Sequence, residues 1–129
     1  MREILFRAKD LRDKWRYGYY DGSADDPALI DEDNETGAFW IKGETLGEFT
    51  GRYDKDGVRI FEGDIVRLSL LIAKDLTYTT IGKIVYNGSC AFVCETISKK
   101  VGTFPLAPDF KYEVLGNIYD NPELLKKNE

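Results

Sequence analysis

Apolar and polar residues alternate in short runs along the chain, with turn-forming residues between them. A period of two sets every second side chain on one face of a strand. Ile4-Leu5-Phe6 reads as a first short strand. In Trp15-Arg16-Tyr17-Gly18-Tyr19-Tyr20 the same period places Trp15, Tyr17 and Tyr19 on one face. From Asp21 to Glu35 the pattern breaks, with seven carboxylates, no Lys or Arg, and Pro27. That stretch reads as a solvated loop or lobe boundary, with a short helical turn over Pro27-Ala28-Leu29-Ile30. Ala38-Phe39-Trp40-Ile41-Lys42 is the next apolar strand.

The centre of the chain carries the clearest turn chemistry. Glu48 to Tyr53 runs into Asp54-Lys55-Asp56-Gly57, a turn signal. Val58 to Phe61 then leads into Glu62-Gly63-Asp64, a tight corner feeding a β-branched strand from Ile65 to Leu68. Asn87-Gly88 is the preferred type I′ pair, and a two-residue loop would set Tyr86 against Ser89, Val85 against Cys90 and Ile84 against Ala91. Both faces of that ribbon are apolar, so it should be covered on both sides. A last strand spans Tyr112 to Tyr119, and Asn121-Pro122 then opens a short C-terminal helix with Asn121 as N-cap. No internal repeat is present. Many short strands between turns argue for a barrel or curled sheet rather than βαβ units.

Composition narrows the function. The chain has no histidine, which removes Ser-His-Asp and Cys-His catalysis and most zinc sites. A non-enzyme is expected, with no cofactor and no metal. The net charge of -5 does not attract polyanions to the molecule as a whole, although local basic patches can bind them. No run of 18 apolar residues exists, and the N-terminus reaches a charge too soon for a signal peptide. A cytoplasmic protein with reduced cysteines and no membrane partner is the expectation.

Four constellations invite chemistry. Cys90 and Cys94 share a strand face but would lie ~13 Å apart at roughly 3.3 Å per residue. A disulfide needs Cα atoms within about 7 Å, so two buried apolar thiols are the plainer reading. Asp54-Lys55-Asp56-Gly57 resembles part of an EF-hand loop, but Arg52 and Gly63 stand where the first and last ligands belong. Asp25, Asp26, Asp31, Glu32, Asp33 and Glu35 could hold a cation weakly or dock a basic partner, against the plain reading of a solvated loop. Arg7, Lys9, Arg12, Lys14 and Arg16 interleave with Trp15, Tyr17 and Tyr19, as in a stacking platform beside phosphate-binding cations. The competing reading is a half-buried strand with its aromatics toward the core.

Three blocks of the chain resemble the YopX family of phage and prophage proteins. Met1-Arg2-Glu3-Ile4-Leu5-Phe6-Arg7-Ala8 is similar to its M-R-E-I-x-F-R-A start. Phe49 to Val66 resembles its Q-x-T-G-L-x-D-x-x-G-x-x-I-x-E-G-D-I-V signature, with Tyr53 near where an apolar residue is usual. Tyr112 to Leu125 is similar to its V-I-G-N-I-Y-E-N-P-E-L-L close. The resemblance implies a mainly β fold: an N-terminal β segment over 1–44 with an acidic loop at 21–35, then an SH3-like barrel over 45–129 with a short C-terminal helix. It implies a phage origin, hence the cytoplasm of a bacterial host. Partners would be further copies of the chain in a homo-oligomer and phage or host proteins, with nucleic acid as the alternative. The family has no known activity, so no catalytic, cofactor-binding or metal residue is carried over.

Overall fold

Lys9 and Trp15 face each other across the first hairpin, and the pairing runs back to Leu5 against Tyr19. The hairpin joins β1 (Leu5–Lys9) to β2 (Trp15–Gly22) in the computed structural model, which describes residues 4–22, 25–88, 91–97, 102–106 and 110–126. These residues are mainly β, in two antiparallel sheets. The chain divides into two compact units, Met1–Phe49 and Thr50–Glu129.

In the first unit β3 (Pro27–Asp31) pairs with β2, and β4 (Ala38–Trp40) pairs with β3. The first residues of β5 (Gly47–Tyr53) pair with β1 on its other side. Directly opposed residues share a face, so Ala8 and Leu29 turn inward and pack with Ile41, Phe6 and Leu46. The Lys42 N–H donates to the Lys9 carbonyl (2.8 Å), and Asp10 bridges to Ile41, so the sheet curls back on itself.

The helical turn expected at Pro27 to Ile30 is instead strand β3, and the acidic stretch is not one loop. Proline is tolerated as a first strand residue, and Leu29 is completely buried between β2 and β4. Burying Ala28 and Leu29 overrides the polar flanks, and the carboxylates collect in the turns on either side. In the turn after β3, Asp33 accepts the N–H groups of Glu35 and Thr36 (both 2.8 Å) and the Thr36 hydroxyl. The Thr36 hydroxyl and N–H, then the Glu35 N–H, hold the Asp33 carboxyl well below the usual range.

The second unit continues β5 into β6 (Arg59–Phe61) and adds β7 (Asp64–Ala73), β8 (Leu76–Tyr86), β9 (Phe92–Thr96), β10 (Thr103–Pro105) and β11 (Lys111–Asn117). Its sheet runs β10-β9-β8-β7-β11. Val66, Leu68 and Leu70 alternate inward and pack with Ile60, Ile84, Cys94 and Tyr112. Arg67, between them, turns outward and pairs with Glu113 (2.6 Å). Asp54 is the main polar tie of this unit. Its Oδ1 accepts the Asp56 and Val58 N–H groups (2.8 and 2.9 Å), and its Oδ2 accepts the Val114 N–H of β11 (3.0 Å). The motif that resembled an EF-hand fragment is thus a turn whose leading carboxylate bonds its own backbone.

Two further expectations need correction. Tyr86 pairs with Phe92, Val85 with Val93 and Ile84 with Cys94, three positions away from the two-residue-loop register. Asn87 and Gly88 do sit in the turn, with Gly88 at φ 79°, but the loop closes later, through the Asn87 N–H to the Ala91 carbonyl (3.0 Å). An odd shift flips the faces, which puts Cys94 beside Ile84 in the core; Cys90 lies outside the described residues. The C-terminal segment is a single 3-10 turn, Pro122–Leu125. Asn121 does not cap it: its Oδ1 accepts the Asn117 N–H (3.2 Å), and a Cβ at Gly116 would stand 2.3 Å from that oxygen.

Candidate functional site

The register of β1 and β2 gathers five of the eight basic and aromatic candidates on one face: Arg7, Lys9, Trp15, Tyr17 and Tyr19. The Arg7 guanidinium lies 4.8 Å from the Trp15 ring centroid and the Lys9 ammonium 5.6 Å from it. Both cations are therefore engaged with an indole of this chain, and Arg7 is only 6% exposed. Arg16 points to the opposite face, while Arg12 and Lys14 lie in the hairpin turn.

That turn is organised by Asp10. Its Oδ1 accepts the Arg12 and Lys14 N–H groups (2.8 and 3.0 Å), and its Oδ2 accepts Nε of Arg16 (2.9 Å). The Lys14 N–H foremost, then the Arg12 N–H and the Arg16 guanidinium, outweigh desolvation and hold the Asp10 carboxyl below its ordinary value. The same salt bridge lays the Arg16 guanidinium on Phe39 of β4, 3.6 Å from the ring centroid. Arg16 is thereby fixed by a stack and an ion pair, and its two terminal nitrogens make no hydrogen bond among the described residues.

Between this turn and β4 lies an open groove of about 390 Å³ lined by Asp10, Leu11, Arg12 and Arg16 on one side and by Ala28, Ala38, Phe39 and Trp40 on the other. Trp40 is 68% exposed. β4 is the last strand of its sheet. The Ile41 N–H donates to the Pro27 carbonyl (3.0 Å) and the Asp31 N–H to the Gly37 carbonyl (2.8 Å). Antiparallel alternation then turns the backbone groups of Phe39 toward β3 and those of Ala38 and Trp40 outward, along the groove. Both Asp10 oxygens are occupied, so Asp10 is not placed to act as a base. The arrangement binds rather than reacts. Sequence reading identified Arg12 and Arg16 but took Phe39 and Trp40 only as strand residues. The available signal was a pair of aromatics in a three-residue strand.

A second exposed feature belongs to the other unit. Among the described residues, β11 accompanies β7 only from Asp64 to Ser69, and β9 accompanies β8 only from Gly82 to Tyr86. The far end of the β7–β8 hairpin is a two-stranded ribbon in which Leu71 is 75%, Ile72 58% and Leu76 54% exposed. Leu71 shares the outer face with Thr77, while Ile72 falls at a bulge.

Among the described residues no three Cys, Asp or Glu groups converge to hold a metal ion, and no helix is long and apolar enough to cross a membrane. No curated protein shows a significant match to the chain. The profile of the YopX protein family matches residues 5–126, nearly the whole length. The chain belongs to the YopX protein family.

Proposed function

We propose that the protein is a non-enzymatic protein-interaction module that acts as an oligomer, encoded by a phage or prophage and working in the cytoplasm of a bacterial host. In this reading the second unit is an SH3-like barrel. One observation carries the interaction role: the apolar end of the β7–β8 hairpin. A two-stranded ribbon is marginal by itself in water, and unpaired strand edges invite pairing with another chain. Three large apolar residues, each more than half exposed, therefore need cover that the described residues do not give them. Light scattering from about 1 to about 100 µM tests the reading, because association depends on concentration. The expected mass exceeds the 14.7 kDa protomer, and Leu71→Asp with Ile72→Asp should return the protein to a monomer. A wild-type monomer over the whole range would refute the oligomer.

The alternative is a nucleic-acid-binding protein, favoured by the shared face of Arg7, Lys9, Trp15, Tyr17 and Tyr19. Burial of Arg7 and the use of both cations on Trp15 weigh against it. Binding to labelled DNA and RNA at about 50 and 200 mM salt separates the two readings, since phosphate contacts weaken steeply with salt.

A further inference from the structure

The β4 edge, the Asp10–Arg12 turn and the Arg16–Phe39 stack each supply a different part of one recognition chemistry. The outward backbone groups of Ala38 and Trp40 offer a short strand edge, which an extended peptide completes by adding a strand. Across the groove stand Arg12, which pairs with no carboxylate among the described residues, and the outer edge of Arg16. That edge is planar and already oriented, the geometry that grips a carboxylate with two parallel hydrogen bonds. Trp40 offers an exposed indole to the neighbouring side chain, the residue type that anchors protein contacts most often together with Arg. We infer that this groove is a docking site for an extended peptide bearing a carboxylate, which pairs with the β4 edge while Arg12 and Arg16 hold the acid.

Charge decides between a peptide and a nucleic acid here. Asp25 and Asp26 precede β3, and Glu32, Asp33 and Glu35 follow it, so the strand beside β4 is flanked by carboxylates at both ends. A polyanion several phosphates long would meet those charges, whereas one carboxylate reaches only the two arginines. The groove also has the size of a site for a few side chains. The carboxylate can come from an Asp or Glu side chain or from a chain terminus.

The inference rests on the reading of the chain as a protein-interaction module, but it fails separately. The oligomer is read out through Leu71 and Ile72, and this site through Arg12. The test uses the full chain and two displayed libraries of random heptapeptides, one ending in a free carboxylate and one embedded in the display protein. Selected peptides are then made synthetically and titrated against wild type and Arg12→Gln. The Arg12 side chain lies in an exposed turn, and its backbone N–H bond to Asp10 survives the substitution. The expected peptides share one acidic position. Arg12→Gln should weaken them about fivefold, as for an exposed ion pair, and replacing their acid with the amide should then change nothing further. Methylation of alternate backbone nitrogens in the peptide should abolish binding, while methylation of the intervening ones should not. Loss on C-terminal amidation assigns the terminus as the source of the acid, and persistence assigns the side chain. Failure to enrich any peptide, an enriched set without an acid, equal binding to Arg12→Gln, or capture of oligothymidylate in place of peptide would each overturn the inference.

Discussion

Replacing Asp54 removes a single carboxylate that holds three backbone N–H groups, two in its own turn and one sixty residues away in β11. Asp56 and Val58 are exposed, so water can replace the carboxylate there at about 0.5 kcal/mol each. The Val114 N–H lies in a half-buried strand and would be left without an acceptor, which costs about 2 kcal/mol. Asp54→Ala should therefore destabilise the protein by about 3 kcal/mol. Asp54→Asn keeps one oxygen for the turn but points an amide at Val114, so it should lose about 2 kcal/mol. With a slope near 2 kcal/mol per molar urea, the alanine variant should unfold at about 1.5 M lower urea. Both tryptophans, Trp15 and Trp40, lie in the first unit, so far-UV circular dichroism must follow the transition. The Val114 amide should also exchange faster in both variants. An asparagine variant as stable as wild type would show that the link to β11 contributes nothing.

Acid gives a second reading of the same residue. Burial raises the Asp54 carboxyl, but the Val114, Val58 and Asp56 N–H groups outweigh it and leave the value lowered. A carboxyl lowered in the folded state stabilises fully above its unfolded value of about 3.9, and this contribution disappears as pH falls through the folded value. Asparagine does not titrate. The stability gap between wild type and Asp54→Asn should therefore be constant near neutrality and shrink below about pH 4. A gap that widens in acid would contradict the hydrogen-bond geometry.

The other predictions concern single packing positions. A Cβ at Gly18 would stand 1.9 Å from the Ile30 carbonyl oxygen, whereas one at Gly43 would meet nothing nearer than a Pro27 carbon at 3.5 Å. Gly18→Ala should cost about 3 kcal/mol or more by forcing β2 from β3, and Gly43→Ala should stay within about 0.5 kcal/mol; tryptophan fluorescence in urea measures both, and equal effects would sink the contrast. Burial pushes the Cys94 thiol up to about 12. The native protein should leave Cys94 unlabelled by iodoacetamide at about pH 8, where only the thiolate reacts, and peptide mass spectrometry that finds it alkylated at the denatured rate would refute its burial.

Alternation made β2, β4 and β5 legible, because each is bounded by turn residues and shows enough apolar side chains at a period of two. β3 was not legible. Its apolar residues, Ala28-Leu29-Ile30, stand among seven carboxylates, and local composition there favours a loop. Burial of Leu29 between two strands decides otherwise, and that contact requires residues ten or more positions away in either direction. The Asn87-Gly88 turn was recognised, but its register was not. The dipeptide fixes where the chain reverses, and the pairing of Tyr86 with Phe92 depends on which residues reach the core, Ile84 and Cys94 among them.

The site was half legible for the same reason. Spacing within β2 placed Trp15, Tyr17 and Tyr19 together, because a strand's own period suffices for that. It could not separate Arg16 from that group in function, since the separation arises from partners elsewhere: Asp10 in the turn and Phe39 on β4. Trp40 reaches the groove only because β3 exists to carry β4 alongside, so misreading one acidic stretch concealed a whole wall of the site. Arg7 shows the converse error. By composition it belonged to a basic surface, yet the fold buries it against Trp15. A cation in sequence is a surface charge only after its own neighbours have been counted. On that count the basic character of the N-terminal segment falls from a broad stripe to a pair of arginines at one strand edge, which suits a single carboxylate better than a phosphate backbone.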